Sequence, residues 1–418
     1  LVQWFRKPPY RKVSGVRISP PPPMKPAECI ECGSGAVYHR ITYVSILMDE
    51  LTAGLIPIPK GSNIFTRLVQ RIERALTPHF IDSLMRFNLA KRVTEPDEHT
   101  QLLALMLWNE GKERGIVMEE FRLFDLPRNI FLARLPNGKK IAFEGIPLPK
   151  SELERVHWMD DKAELKKRFR KIGLPVAKGG DARSLHQAKK IFRSVTPPVI
   201  AKPHSGSGSR HTTLHLVTEE DLERGFRIGN EVSPRVVIEE ELVGPVYRAT
   251  VVDGKFAAAL RRDQPYVTGD GRRTITELVE EANTHPARGG PYFHPMQLDE
   301  AAEAELAWQG LAIDSIPEAG RKVTLHQKIN WSVGGTTADV TDEVHPVNVA
   351  LFEEVARVLK APIVGLDFII PDITRSWKEQ DRCGILECNS MPFFDNHHLP
   401  FEGKPRNVAA LIWEMNGV

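Results

Sequence analysis

Two short apolar segments that carry carboxylates constrain this chain more than any other feature: Gly365-Leu-Asp-Phe-Ile-Ile370 and, downstream, Gly384-Ile-Leu-Glu-Cys-Asn389. Runs of this length, rich in Ile and Leu, read as buried strands, and a core does not accept carboxylates without a partner. Side chains alternate along a strand, so Glu387 and Asn389 share a face, Cys388 points away, and Asp367 can join them from a neighbouring strand. Hard oxygen donors on one face outline a magnesium site. Mg²⁺ takes one or two carboxylates from a protein and fills the rest of its octahedron with water and phosphate oxygens. The plainer alternative is a carboxylate pair at the solvent end of two strands, and these segments alone do not separate the two readings.

Upstream lie residues suited to phosphate. Val199-Ile-Ala-Lys-Pro203 reads as a strand carrying Lys202, followed by Ser205-Gly-Ser-Gly-Ser-Arg-His211. In Ser205, Gly206, Ser207 and Gly208 the missing Cβ atoms let backbone N–H groups close around phosphate oxygens, with Lys202 adding charge. An ordinary flexible turn is the competing reading. Neither the Gly-x-x-x-x-Gly-Lys-Ser/Thr loop nor the three-glycine dinucleotide fingerprint occurs. Lys162 opens a predicted helix in which Ala163, Leu165, Phe169 and Ile172 form a partial apolar stripe. Gly173 stops it, most of its other basic residues read as a solvated face, and Leu174 to Ala177 reads as a short entry strand. Arg235-Val-Val-Ile-Glu-Glu-Glu-Leu-Val-Gly244 is an apolar strand running into an acidic hinge. Its backbone could meet an adenine edge while a glutamate accepts from the exocyclic amine; a solvated strand end is the alternative. Val246 to Val252 and Lys255 to Arg261 form a predicted hairpin across Asp253-Gly254, with Arg248, Arg261 and Arg262 placed to face an anion.

In this order the pieces resemble the ATP-grasp superfamily of carboxylate–amine ligases, and within it the ATP-grasp module of cyanophycin synthetase and glutathione-synthetase-like enzymes. Three unusual strings carry that likeness: Val267-Thr-Gly-Asp-Gly-Arg-Arg-Thr-Ile275, Asn330-Trp-Ser-Val-Gly-Gly-Thr-Thr337 and Asp339-Val-Thr-Asp-Glu-Val-His-Pro346. The resemblance spans roughly residues 155–400. It implies an α/β (α+β) fold in which two subdomains grip ATP, preceded by a small α/β domain. It also implies ATP and Mg²⁺ as cofactors, two ions with Mn²⁺ able to substitute, and amino-acid or peptide substrates joined through an acyl phosphate. Lys162 and Lys202 would hold the phosphates, the 205–211 loop would close over them, and Glu239, Glu240, Glu241 and Leu242 would cradle adenine. Asp367, Glu387 and Asn389 would hold the metal, while Arg248, Arg262 and the turn through Gly334, Gly335 and Thr336 would face the acyl phosphate or substrate carboxylate. Where such sequences carry an acidic ribose contact this chain has Val246. Cyanophycin synthetase continues into a second ligase module, so the full two-residue polymer is not expected from this chain alone. A dipeptide or glutathione-type ligase is one alternative, and a non-catalytic ATP-binding protein another.

The remainder sets bounds. The expected organisation is a disordered or non-native tail at 1–23, an N-terminal α/β domain at 24–154, a central subdomain at 155–235 and a C-terminal subdomain with the metal site at 236–418. The tail reading follows from its basic, proline-ending composition, with Met24 as a candidate start. With 56 basic and 54 acidic residues and no dominant basic stripe, a nucleic-acid or membrane-surface role has little support. Four cysteines in 418 residues make no disulfide framework, which favours a cytoplasmic setting, and the lone Cys29/Cys32 pair is weak as a zinc site. A homo-oligomer rests on family likeness only. Gln101 to Trp108 reads as a helix, Gly115 to Met118 as a strand, and the segments around Asn137-Gly138 as a hairpin. Thr274 and Glu277 stand at capping-box spacing, His345 to Leu359 forms an amphipathic helix, and Asp395-Asn-His-His398 follows the metal strand as a tail loop or a substrate contact.

Overall fold

A computed structural model of the chain describes residues 90–123, 126–149, 159, 162–204, 211–290, 292–326, 329 and 331–418, with positions 39, 40, 42–44, 46 and 47. The 1–23 tail, the Cys29/Cys32 pair and residues 205–210 of the Ser/Gly loop lie outside the described residues.

The chain begins with an antiparallel sheet, β1 (Ala90–Val93), β2 (Val117–Leu123), β3 (Leu126–Arg134) and β4 (Lys140–Glu144), in sequential order. Helix α1 (Leu102–Glu113) lies between β1 and β2. The hairpin expected at Asn137-Gly138 is present, with Gly138 at φ +80°. Next come α2 (Lys162–Lys171), β5 (Gly179–Ala182), α3 (Leu185–Phe192), β6 (Val199–Pro203), β7 (Thr213–Leu216), α4 (Glu219–Asn230) and β8 (Val236–Glu240). Strands β5, β8, β6 and β7 make a second antiparallel sheet in that order. Because β8 pairs with both β5 and β6, this sheet runs past the boundary expected at 235. Residues 174–177 form no strand. Pro175 has no N–H to give a ladder, and its carbonyl only accepts from Ile385.

Strands β9 (Val246–Val252) and β10 (Lys255–Asp263) form the hairpin, with Asp253 at φ +49° and Gly254 at +71°, as a type I′ turn requires. A small unit follows: β11 (Tyr266–Thr268), α5 (Ile275–Asn283), α6 (Glu300–Trp308) and β12 (Lys322–Thr324). It has its own core of Val267, Ile275, Leu278, Leu306 and Val323. The capping box is formed, Thr274 accepting from the Glu277 N–H while the Glu277 carboxylate accepts from the Thr274 N–H. The chain closes with β13 (Thr336–Asp339), α7 (Pro346–Leu359), β14 (Ile363–Ile369), β15 (Gly384–Asn389), α8 (Asp395–His398) and α9 (Val408–Met415).

The central sheet runs β13-β10-β9-β14-β15, antiparallel throughout, so the fold is α+β. Alternation gives it two faces. Tyr247, Ala249, Val251, Leu366, Phe368 and Cys388 pack against α7 and α2. On the other face Val252, Ala258 and Ile363 join α1, the first sheet and α9 in a second core around Trp108, Phe131 and Trp413. That second face is apolar at one end only. At the other it carries Arg248, Asp367 and Glu387. No described helix is long and apolar enough to cross a membrane.

Candidate active site

The polar end of that face is set by register. Arg248 on β9 pairs with Asp367 on β14, and Asp367 pairs with Glu387 on β15, so the three stand in one row across the sheet. Arg248 grips Asp367 with two N–H donors, Nε to Oδ1 at 2.5 Å and Nη2 to Oδ2 at 3.1 Å, and Arg262 Nη1 adds a third at 3.3 Å. Burial alone would raise the Asp367 carboxyl pKa, but the charges of Arg248 and Arg262 outweigh it and hold the group below its usual range. Glu387 meets Lys162 Nζ at 3.2 Å, and Asn389 Nδ2 stands 3.5 Å from Glu387 Oε1. Cys388 is buried on the opposite face, as alternation requires. The structure therefore brings Asp367, Glu387 and Asn389 together, with Lys162 beside them.

A second charged cluster lies under β6 and β8. Val199, Ala201, Val236 and Ile238 fill the core toward α3 and α4, which sends Lys202 and Glu239 to the other face, toward α2. There Glu239 sits between two ammonium groups, Lys202 Nζ at 2.5 Å from Oε1 and Lys166 Nζ at 2.5 Å from Oε2. Burial pushes Lys166 down to about 8, with Lys202 repelling it and Glu239 opposing the shift. Burial works to raise the Glu239 carboxyl, and the two lysines overcome it and hold it well below its usual range. Sequence reading took most of this helix's other basic residues as a solvated face and did not single out Lys166. Its signal was spacing: one turn after Lys162 and flanked by the core residues Leu165 and Phe169, it lies on the inward side of α2. Ile172, expected in the apolar stripe, is instead exposed just beyond the helix end.

The stems of the Ser/Gly loop are anchored: His204 Nδ1 lies 3.2 Å from Asp181 and its Nε2 2.8 Å from Arg235, while His211 Nδ1 lies 3.0 Å from the Ile228 carbonyl. Ser205, Gly206, Ser207 and Gly208 themselves fall outside the described residues.

No family model matches the chain. Curated relatives do. It is 34% identical over 259 residues to cyanophycin synthetase from Nostoc sp., which takes in 61% of this chain and 29% of that protein. It is 31% identical over 394 residues to the glutathione biosynthesis bifunctional protein GshAB of Pasteurella multocida, covering 88% of this chain and 50% of that one. The crystal structure of a bifunctional glutathione synthetase from Pasteurella multocida superposes with a TM-score of 0.57 at 26% identity, over 75% of this chain and 43% of that one. The chain is thus related in sequence to cyanophycin synthetase and to the bifunctional glutathione biosynthesis proteins. It spans half or less of the length of the relatives named here.

The three glutamates of the acidic hinge have partners within the protein. Sequence reading offered a glutamate side chain to the adenine amine, yet each of the three carboxylates is already engaged: Glu239 by the two lysines, Glu240 by the Thr196 N–H at 3.1 Å, Glu241 by His215 at 2.9 Å. The backbone N–H groups of Glu240 and Glu241 are bonded too, to the carbonyls of Lys178 and Pro198, whereas that of Leu242 meets no carbonyl among the described residues. The hinge thus presents main chain at Leu242.

Arg261 turns to the other face of β10 and pairs with Asp263, which removes it from the site. Arg262 stays, its guanidinium 5.4 Å from the centre of the Trp331 ring. Burial and the nearby Arg248 lower its pKa while Asp367 opposes the shift. The Gly334–Thr336 turn needs its glycine. Gly334 has φ +98°, and a Cβ there would lie 2.4 Å from the Met296 side chain and 2.8 Å from its Cα. Arg288 Nη1 holds the turn by donating to the Gly334 and His294 carbonyls at 2.9 and 3.0 Å. Gly335 is buried, while Gly334 and Thr336 line a cleft of about 540 Å³ shared with His285, Arg288 and Phe401.

Proposed function

We propose that this chain is an ATP- and Mg²⁺-dependent ligase that joins a carboxylate to an amine through an acyl phosphate. The observation that carries the reading is the charge arrangement. Five cations, Lys162, Lys166, Lys202, Arg248 and Arg262, meet three carboxylates, Glu239, Asp367 and Glu387, at one end of the central sheet and under β6 and β8. A net positive site of hard donors suits a polyphosphate with its metal. The relatives' names, cyanophycin synthetase and glutathione biosynthesis protein, belong to proteins that make products from amino acids, and they support amino-acid or peptide substrates here.

Asp367, Glu387 and Asn389 fit Mg²⁺ in donor type and in sharing one face, and the approach of Lys162 to Glu387 supports a cation on this face. Bound there, Mg²⁺ would neutralise charge on the transferring phosphoryl group. Two ions, with Mn²⁺ as a substitute, complete the proposal. Lys162 and Lys202 are the phosphate contacts, and Leu242 meets the adenine edge through its main chain. Arg248 and Arg262 face the developing acyl phosphate, where preformed positive charge lowers the barrier. The turn through Gly335 and Thr336 shapes the opening to the adjoining cleft. A cleft of about 540 Å³ is roomy enough for more than a single amino acid, so a peptide acceptor is accommodated as well as a free one.

The test is Mg²⁺-dependent ADP release by the full chain, screened over pairs of amino acids and short peptides, with Asp367→Ala and Glu387→Ala as controls. Release that requires one pair and is lost in both variants is the expected result. ATP binding with no pair-dependent release would point instead to a nucleotide-binding module.

A further inference from the structure

A set of buried polar atoms remains that the roles above leave unused. Arg262 Nε, Arg288 Nε, Asp395 Oδ1, Asn396 Oδ1 and His397 Nδ1 are all enclosed without a hydrogen-bond partner. Such atoms are rare in folded proteins because each forfeits its hydration, and a group of them asks for a ligand. Asp395 stands out. It is only 4% exposed; one carboxylate oxygen, Oδ2, accepts from the Tyr292 hydroxyl at 2.6 Å, and the other, Oδ1, is enclosed without a side-chain partner, near only the backbone N–H groups of Asp395 and Asn396 at the start of α8.

Its position ties it to the reaction centre. The Tyr292 ring meets Trp331 edge-on at 5.5 Å, and Trp331 in turn carries the Arg262 guanidinium that reaches Asp367. From the other side His397 Nε2 lies 2.8 Å from the Thr250 hydroxyl, two residues along β9 from Arg248. The segment leading into α8 lies directly on β14: a Cβ at Gly365 would come within 2.7 Å of Pro392 and 3.4 Å of Arg248. Asp395 is therefore linked to the arginine assigned to the acyl phosphate through two intervening rings, Tyr292 and Trp331.

We propose that Asp395 receives the ammonium of the amine substrate and takes its proton, with Tyr292 as the positioning residue that holds the carboxylate. This rests on the ligase reading. The step balances simply. The ammonium gives one proton to Asp395 Oδ1, and the freed nitrogen lone pair attacks the acyl carbon. The C–N bond forms, the C–O bond to phosphate breaks with its electron pair on the phosphate, and the second nitrogen proton leaves with it. Burial raises the Asp395 carboxyl pKa, which improves it as a base near neutrality. Burial and the charge of Asp395 drive the Tyr292 hydroxyl pKa far upward, so it remains a donor.

Hydroxylamine separates this role from a structural one. It is already neutral at neutral pH and traps acyl phosphates as hydroxamates without needing a base. In the full chain with ATP, Mg²⁺ and the amino-acid and peptide panel, Asp395→Asn should lose about 100-fold or more of amine-dependent ADP release. It should keep hydroxamate formation within about threefold of the parent. The deficit should shrink as pH rises toward the amine's own pKa, and Tyr292→Phe should show the same selective loss more mildly. The proposal is overturned by equal losses in both assays, by no loss, or by a deficit that ignores pH. If Asp395→Asn melts at the assay temperature, Tyr292→Phe decides by the same criteria. A parent chain that yields neither ADP nor hydroxamate with any carboxylate sinks the ligase reading, and this proposal with it.

Discussion

The two ends of one face of the central sheet make the instructive comparison. Strands β9, β10 and β14 run through both, with the same alternation and the same neighbours in the ladder. At one end Val252, Ala258 and Ile363 are sealed by Trp413 and the first sheet; at the other Arg248, Asp367 and Glu387 stand in a charged row. Between them the Thr250–His397 contact marks the seam. Strand periodicity decides which residues share a face, but what covers each end decides whether that face becomes core or chemistry.

The largest effect should come from the charged end. Asp367→Asn keeps the shape yet leaves Arg248 and Arg262 buried without their hydrogen-bonded countercharge, which should cost about 3–5 kcal/mol in addition to abolishing ADP release. Thermal melting beside the activity assay checks both. At the apolar end Trp413→Ala should cost a similar 3–5 kcal/mol, through cavity formation and loss of its hydrogen bond to the Leu107 carbonyl. Turnover measured well below the melting point should nonetheless survive. Loss of turnover in the folded Trp413 variant would break the division between the two ends.

The seam should respond to pH. Burial lowers the His397 pKa to about 3, with Arg248 adding to the shift, and burial lowers His398 to about 4. Each histidine is held neutral in the folded chain but gains a proton when unfolded below about pH 6.5. Stability is therefore fully present above that value and falls as pH drops. Between about pH 6.5 and 4.5, above most carboxylate titrations, His397 alone should remove about 2 kcal/mol. His397→Asn should flatten the melting-temperature profile in that window, and an unchanged slope would refute the assignment. The smallest stability change belongs to Lys162→Ala. Its pairing with Glu387 is part-exposed, 28% for the lysine side chain, and should contribute under about 1 kcal/mol. ATP affinity, read by calorimetry, should still weaken about tenfold.

Sequence reading reached furthest where the signal was local. The β9–β10 hairpin was legible from Asp253-Gly254, the α5 cap from Thr274 and Glu277, and the shared face of Glu387 and Asn389 from period-two alternation. It failed where a partner came from far along the chain. Lys166 was not singled out from its basic neighbours because nothing nearby in sequence announces Glu239, 73 residues on. The hinge glutamates looked available because their partners, Thr196, His215 and the two lysines, arrive from other elements. Tyr292 gave no hint of Asp395, 103 residues away.

By itself, then, the sequence determined the strands, their faces and the order of phosphate, hinge and carboxylate segments, since these follow from backbone geometry and side-chain alternation within a few residues. Only the tertiary structure decided which charges meet. It paired Arg248 with Asp367, closed Lys166 and Lys202 on Glu239, and left one oxygen of Asp395 buried without a side-chain partner. The physical reason is that desolvation and charge pairing depend on what is packed within a few ångströms, a distance that the order of residues along the chain does not record.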